Sequence, residues 1–92
     1  MHLEIISPEA TLFEGEISSI ILPGFSGSFQ LLNNHAPIVS TLSSGTVKIF
    51  GKIKVKKSHL DKFVTKTNEV TLFNISSGTV EMNDNKVILL SD

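Results

Sequence analysis

Three histidines, nine carboxylates and eight lysines are the groups in this chain that could carry chemistry, and their spacing restricts what that chemistry is. His2, His35 and His59 show no His-x-His or His-x-x-x-His spacing, so a metal centre would need ligands gathered by the fold. Cysteine is absent, which excludes thiolate ligands, a cysteine nucleophile and a disulfide framework. Among the serines, the nearest approach to a nucleophile elbow is Gly24-Phe25-Ser26-Gly27. It is one residue short of Gly-x-Ser-x-Gly and lacks the strand-to-helix context. Glu14 and Glu16 would share a strand face as paired carboxylates, but solvated charge on a sheet edge explains them better. No Walker-type phosphate loop is present. The expectation is a protein with no catalytic residues, no metal and no cofactor.

Two polar features remain. Seven of the eight lysines fall within 48–66, where Asp61 is the only acid. Such a patch could meet phosphates or an anionic surface, and it also reads as a projecting hairpin whose lysines guard its edge against aggregation. The chain has no Arg, Tyr or Trp, which weakens a nucleic-acid reading, since stacking platforms use aromatic rings and guanidinium groups. His35, followed by Ala36-Pro37, can donate a ring N–H to a backbone carbonyl and hold its loop, or face a partner. The two roles are compatible.

The elements that must position these groups are short. The 92 residues, 40% apolar and 18% charged, suit one domain over 1–92. No apolar run approaches the ~20 residues of a spanning helix, and Glu4 interrupts any signal-peptide reading of the first residues. Leu3–Ile6, Thr11–Phe13, Ile17–Leu22, Ser28–Leu31, Ile38–Leu42, Thr46–Phe50, Val70–Ile75, Thr79–Met82 and Lys86–Leu90 read as strands. Pro23-Gly24 and Asn33-Asn34 read as turns, Gly15 as a bulge or tight turn, and Asn83–Asn85 as the turn of a hairpin. Pro37 keeps Ala36 out of helical geometry. Ser-Ser-Gly-Thr-Val occurs at 43–47 and again at 76–80, reused turn chemistry rather than a duplication.

Residues 51–69 form a lysine-rich insertion. Gly51–Lys57 alternates strictly, with lysines to one side and Ile53 and Val55 to the other. Ser58–Asp61 resembles a capping box, and Leu60, Phe63 and Val64 have helical spacing. A short helical turn near 58–65 therefore competes with a continued hairpin. The whole pattern predicts an all-β fold: an antiparallel β-sandwich or flattened barrel of nine or so strands.

Gly24-x-x-Gly27, then Leu31, then Asn34-His35-Ala36-Pro37 resembles the signature of the epsilon subunit of F-type ATP synthase, called delta in mitochondria. Leu3–Pro8, Leu12-Phe13-x-Gly15-Glu16-Ile17, Leu42–Gly45 and Ser76-Ser77-Gly78-x-Val80-Glu81 with Val87-x-x-Leu90 follow in the family's order. The likeness covers about 1–50 and 70–92. Ser77 and Thr79 stand where the family favours Gly and Phe. The 51–69 segment is longer than the family's hairpin, so nothing carries over there.

This resemblance implies a ten-stranded sandwich in the central rotor stalk, linking the gamma subunit to the membrane c-ring and coupling proton- or sodium-driven rotation to ATP synthesis. The subunit itself would do no chemistry and have no small-molecule substrate. By position, Ser28 and the loop Asn33, Asn34, His35, Ala36, Pro37 match the part facing the c-ring. Pro23, Gly24 and Gly27 would shape the loop, and Ser40 matches positions nearer gamma. The implied location is peripheral, on the cytoplasmic face of a bacterial inner membrane, or the matrix or stromal side in an organelle, with membrane contact only through the c-ring. Bacterial members usually continue into a C-terminal two-helix hairpin. With the sequence stopping at Asp92, neither inhibition of rotation nor ATP binding is expected. The alternative is a stand-alone small β-barrel module using the 48–66 basic patch on nucleic acid or an anionic surface.

Overall fold

Alternation of residue type becomes alternation of burial along the first strand, β1 (His2–Ile6), where Leu3 and Ile5 are fully buried and His2, Glu4 and Ile6 are not. The same logic builds β2 (Thr11–Glu16), β3 (Ser19–Gly24), β4 (Gly27–Leu31), β5 (Ile38–Leu42), β6 (Gly45–Phe50), β7 (Phe63–Thr67), β8 (Val70–Ile75), β9 (Gly78–Asn83) and β10 (Lys86–Ser91). These elements come from a computed structural model describing residues 1–92. A 3-10 turn at Lys57–Lys62 precedes β7 and is the only helical element.

The strands run in the order β2-β1-β10-β9-β5-β3-β6-β8-β7, with β4 beside β3. β5 meets β3 through a single register pair, Gly24 with Leu42. Two half-sheets are thus joined at one corner, and the sheet curls into a half-barrel around 19 buried apolar residues. Every pairing is antiparallel except β1 with β10. That parallel pair needs a crossover and cannot form from a local hairpin.

Several local expectations change in the structure. Pro23 and Gly24 lie inside β3, and the turn is Phe25-Ser26. Gly24 pairs with Gly27, which takes the positive φ of 117°. Gly27 can adopt it because it has no Cβ. The bulge of β2 is not at Gly15: Gly15 pairs normally with Leu3, and the register slips between Ile5 and Ile6, where Leu12 is the extra residue. The slip lets Leu12 and Phe13 both turn inward. β3 begins at Ser19, leaving Ile17 buried in the connection.

The 51–69 segment does not project as a hairpin. Residues 51–56 belong to no strand, although Ile53 and Val55 pack against the core and the lysines between them stay exposed. Packing without a ladder makes this a strap, and pairing resumes only with β7, which forms a hairpin with β8. The capping box does not form: no side chain caps the 3-10 turn. Phe63 opens β7, buried, with its ring stacked 4.9 Å from that of Phe73, while Leu60 and Val64 remain exposed. The short helical turn expected near 58–65 thus forms at Lys57–Lys62, but Phe63 and Val64 lie beyond it in β7, so their spacing with Leu60 is not what makes it.

Candidate functional site

Leu31 is buried at the end of β4, and the chain must turn back immediately. It does so at Asn33-Asn34, with Asn34 at φ 62° and the His35 N–H donating to the Leu32 carbonyl at 3.1 Å. Asn tolerates this left-handed geometry better than most residues. Opposite lies the β9–β10 turn, where Asp84 (φ 50°) and Asn85 (φ 58°) are both left-handed, the type I′ geometry that suits a two-residue hairpin.

Asn85 clasps the two loops together. Its Oδ1 accepts the Asn34 N–H at 2.7 Å, and its Nδ2 donates to Asn33 Oδ1 at 2.9 Å. Asn33 Oδ1 also accepts from the Met1 nitrogen at 3.1 Å. His35 Nδ1 lies 2.7 Å from the Ala36 carbonyl. A carbonyl only accepts, so Nδ1 carries the hydrogen and Nε2 is left free for a partner. Between Asn34–Pro37 and Asn83–Asn85 is an open concavity of about 420 Å³. The result is a braced polar end offering the Asn34 side chain, the His35 Nε2 and the Pro37 ring.

The other residues singled out in the sequence are not all at this end. Ser28 pairs with Pro23 beside the Phe25-Ser26 turn, at the far end of β4. Pro23, Gly24 and Gly27 shape that hairpin and not the Asn33–Pro37 loop. Ser40 pairs with Val80, on a row continued by the buried Leu89, Ile5 and Phe13. It is half-buried, and its hydroxyl donates to the Thr41 carbonyl at 3.3 Å. Its neighbours Val39 and Thr41 face outward. Val39 is 76% exposed and borders a shallow groove with Pro37 and Met82.

Sequence reasoning missed the role of Asn85, for which hairpin chemistry was the only signal. It also missed a charged cluster. The His2 ring lies 3.1 Å from Glu16 and 3.3 Å from Glu14, and Lys86 Nζ lies 2.9 Å from Glu4. The period-2 spacing of His2 with Glu4 and of Glu14 with Glu16 was the available signal. Ligand atoms of His2, Glu4 and Glu14 come within 4.8 Å of one another. These groups already satisfy each other and Lys86, as an ion-pair network does. The hydrogen bond to Glu4, and then its charge, raise the Lys86 ammonium above the usual lysine range; the Glu14 charge adds a smaller push, and burial opposes it. Ser26, within a two-residue hairpin turn, has none of the geometry of a nucleophile elbow.

Known proteins resemble the chain along its whole length. The family described as "ATP synthase, Delta/Epsilon chain, beta-sandwich domain" matches residues 1–92. The ATP synthase epsilon chain of Leptospira interrogans serovar copenhageni is 34% identical over 92 residues, covering 100% of this chain and 61% of that protein. That of Chlorobaculum tepidum is 40% identical over 90 residues, covering 98% and 86%. The chain thus spans about three-fifths of the Leptospira relative. In fold it is similar to a chain in the Tetrahymena thermophila mitochondrial ATP synthase central stalk/c-ring structure, at TM-score 0.69 and 18% identity, covering 98% of this chain and 61% of that one. It is also similar to a chain in the Euglena gracilis mitochondrial ATP synthase OSCP/F1/c-ring structure, at TM-score 0.73 and 16% identity, covering 97% and 48%.

Proposed function

Because this chain belongs to the ATP synthase delta/epsilon family, in its β-sandwich domain, we infer that it serves in the central stalk of an F-type ATP synthase, where it links the gamma subunit to the c-ring and couples ion-driven rotation to ATP synthesis. The observation that carries this reading is the family match over all of residues 1–92. It leaves the stand-alone nucleic-acid or anionic-surface module without support. In this role the subunit is non-catalytic and works mechanically, as a peripheral part of the complex on the cytoplasmic face of a bacterial inner membrane.

The braced polar end suits contact with the polar loops of a membrane ring. Asn34 and His35 offer hydrogen-bonding groups, Ala36 and Pro37 give a stiff contour, and Asn33 holds the loop from within. Ser28, at the far end of β4, falls outside this contact. A gamma-facing surface near Ser40 would be made by the outward Val39 and Thr41, since Ser40 itself points to the core row.

Co-purification tests the reading. Tagged protein expressed in its own cells should bring down gamma and the c-ring from detergent-solubilised membranes. Recovery of the tagged chain alone, under conditions that keep the rest of the complex intact, refutes it.

A further inference from the structure

The lysines of the insertion lie along one flank. The strap leaves Gly51, whose N–H donates to the Glu69 carbonyl at 2.9 Å, beside the β7–β8 turn. Midway, Lys54 and Lys56 line a cleft with Thr11, Phe13 and Glu14 of β2. At the far end, Lys62 lines a cavity with Ser7, Glu9, Ser76 and Asp92, and β7 returns with Lys66 exposed. The strap therefore covers the seam between the edge strands β2 and β7, leaving a cleft on its β2 side.

Its six lysines from Lys52 to Lys66 are all exposed, and none pairs with a carboxylate. Outside 48–66 the chain holds eight of its nine acids and a single lysine. A near-neutral protein thus carries a concentrated positive stripe, which raises the local concentration of anionic partners. Leu60 and Val64 stand exposed among these lysines, at 48% and 55%.

We propose that this flank is a docking groove for an extended acidic polypeptide segment that carries apolar side chains, supplied by a neighbouring protein. The carboxylates on its border select that occupant. Glu9 and Glu14 border the stripe across the seam, so a broad anionic surface lying flat would press on carboxylates, while a single extended chain fits beside them. Nucleic acid would find no guanidinium and no Trp or Tyr platform. The stripe spans residues 52 to 66, and an extended segment of about ten residues reaches about 33 Å. Carboxylates of the segment would meet the lysines, and apolar side chains near its end would meet Leu60 and Val64, which lie at the Lys62–Lys66 end of the stripe.

The test uses the 92-residue chain and a fluorescein-labelled peptide of alternating Glu and Leu, about ten residues long, read by fluorescence anisotropy. Binding should weaken at least about tenfold between about 50 and 300 mM salt. It should be lost in the quadruple variant Lys52→Glu, Lys54→Glu, Lys56→Glu, Lys57→Glu, and weaken at least about threefold in Leu60→Ser, Val64→Ser, with all variants checked for an unchanged fold by circular dichroism. A peptide of Glu and Ser should bind more weakly than the Glu-Leu peptide. Equal binding of the two peptides, no binding of either, or tighter binding to anionic phospholipid vesicles or single-stranded oligonucleotide than to the Glu-Leu peptide would overturn the proposal. The assay needs no stalk partner, so its outcome is independent of the co-purification result.

Discussion

Asn85 does two jobs that different substitutions separate. Its side chain bonds Asn33 and the Asn34 N–H, and its backbone sits at φ 58°. Asn85→Gly loses the bonds, at about 1 kcal/mol for exposed hydrogen bonds, while Asn85→Ala loses them and keeps a Cβ in left-handed geometry without the local side-chain hydrogen bonding that lets Asn tolerate it, at about 1 kcal/mol more. The expected order of Tm is wild type, then Gly, then Ala, with steps of about 4–8 °C per kcal/mol in a domain of this size. Thermal melting followed by circular dichroism checks it, and an alanine variant as stable as the glycine variant would remove the strain argument. His35 contrasts with this, being exposed and bonded only within its own loop. His35→Ala should loosen attachment to the ring on co-purification more than it lowers Tm. A large fall in Tm with unchanged assembly would assign the histidine to holding the loop.

Lys86 gives the residue scale a pH dependence with a fixed sign. Its folded pKa is raised, chiefly by the hydrogen bond to Glu4. The folded protein therefore holds this proton more tightly than the unfolded chain. The stabilisation is complete below the unfolded lysine value of about 10.4 and is lost as pH rises through the folded value. Lys86→Met should have a lower Tm than wild type at neutral pH, and the gap should close on the alkaline side of that value. A constant gap across a melting series in pH would show that lost packing of the side-chain stem, not charge, is responsible.

At the scale of elements, the strap is held by two half-buried side chains, Ile53 and Val55, and not by a ladder. Replacing both with Ser removes that hold at roughly 1 kcal/mol per residue. The strap should then be cut by trypsin at its lysines faster than in wild type, and unchanged cleavage would mean that something else pins it. Period-2 patterning showed which way Ile53 and Val55 point, but it cannot reveal whether a strand has a partner, so strap and hairpin look alike in sequence. The same limit explains Pro23. A proline-glycine pair reads as a turn, yet Pro23 sits where β3 passes from β6, last paired at Ile21–Lys48, to β5 at Gly24–Leu42. A missing N–H there costs no ladder bond, and the Pro23 carbonyl accepts the Ser43 N–H at 2.8 Å. Gly15 misled for a third reason: an added Cβ would stand 3.0 Å from the Phe13 ring, so its small size leaves room for the ring, not for a bulge. Each glycine of the repeated Ser-Ser-Gly opens a strand where another segment passes close. An added Cβ would meet Pro23 Cβ at 2.7 Å from Gly45, and the Leu90 carbonyl at 2.5 Å from Gly78. At the site, the Asn33–Pro37 loop was visible because Asn-Asn and His-Ala-Pro are local signals. The clasp from Asn85 and the inward row of Ser40 depend on long-range register, which local pattern does not encode.

For the whole molecule, the question is what keeps two half-sheets moving as one body, as transmission of torque would require. Ladder pairing between them is limited to the single pair Gly24–Leu42, beside the Ser43 N–H bond to the Pro23 carbonyl. The joint must therefore be made by the core, and Leu42 is the buried residue at the corner, with no exposed surface. Leu42→Ala removes apolar contact from both halves at once and leaves a cavity, at about 2–5 kcal/mol. Stability for a chain of this length is about 5–14 kcal/mol, so the variant should stay folded with its urea midpoint markedly lowered. If the halves remain one cooperative unit, the slope of the transition is unchanged. If the corner is their only joint, the transition broadens or splits in two as the halves melt separately. The parallel β1–β10 pair ties the first and last strands within one half, and it cannot substitute for the corner. A loss below about 1 kcal/mol would transfer the joining role to the strap, whose Ile53 and Val55 close the opposite seam.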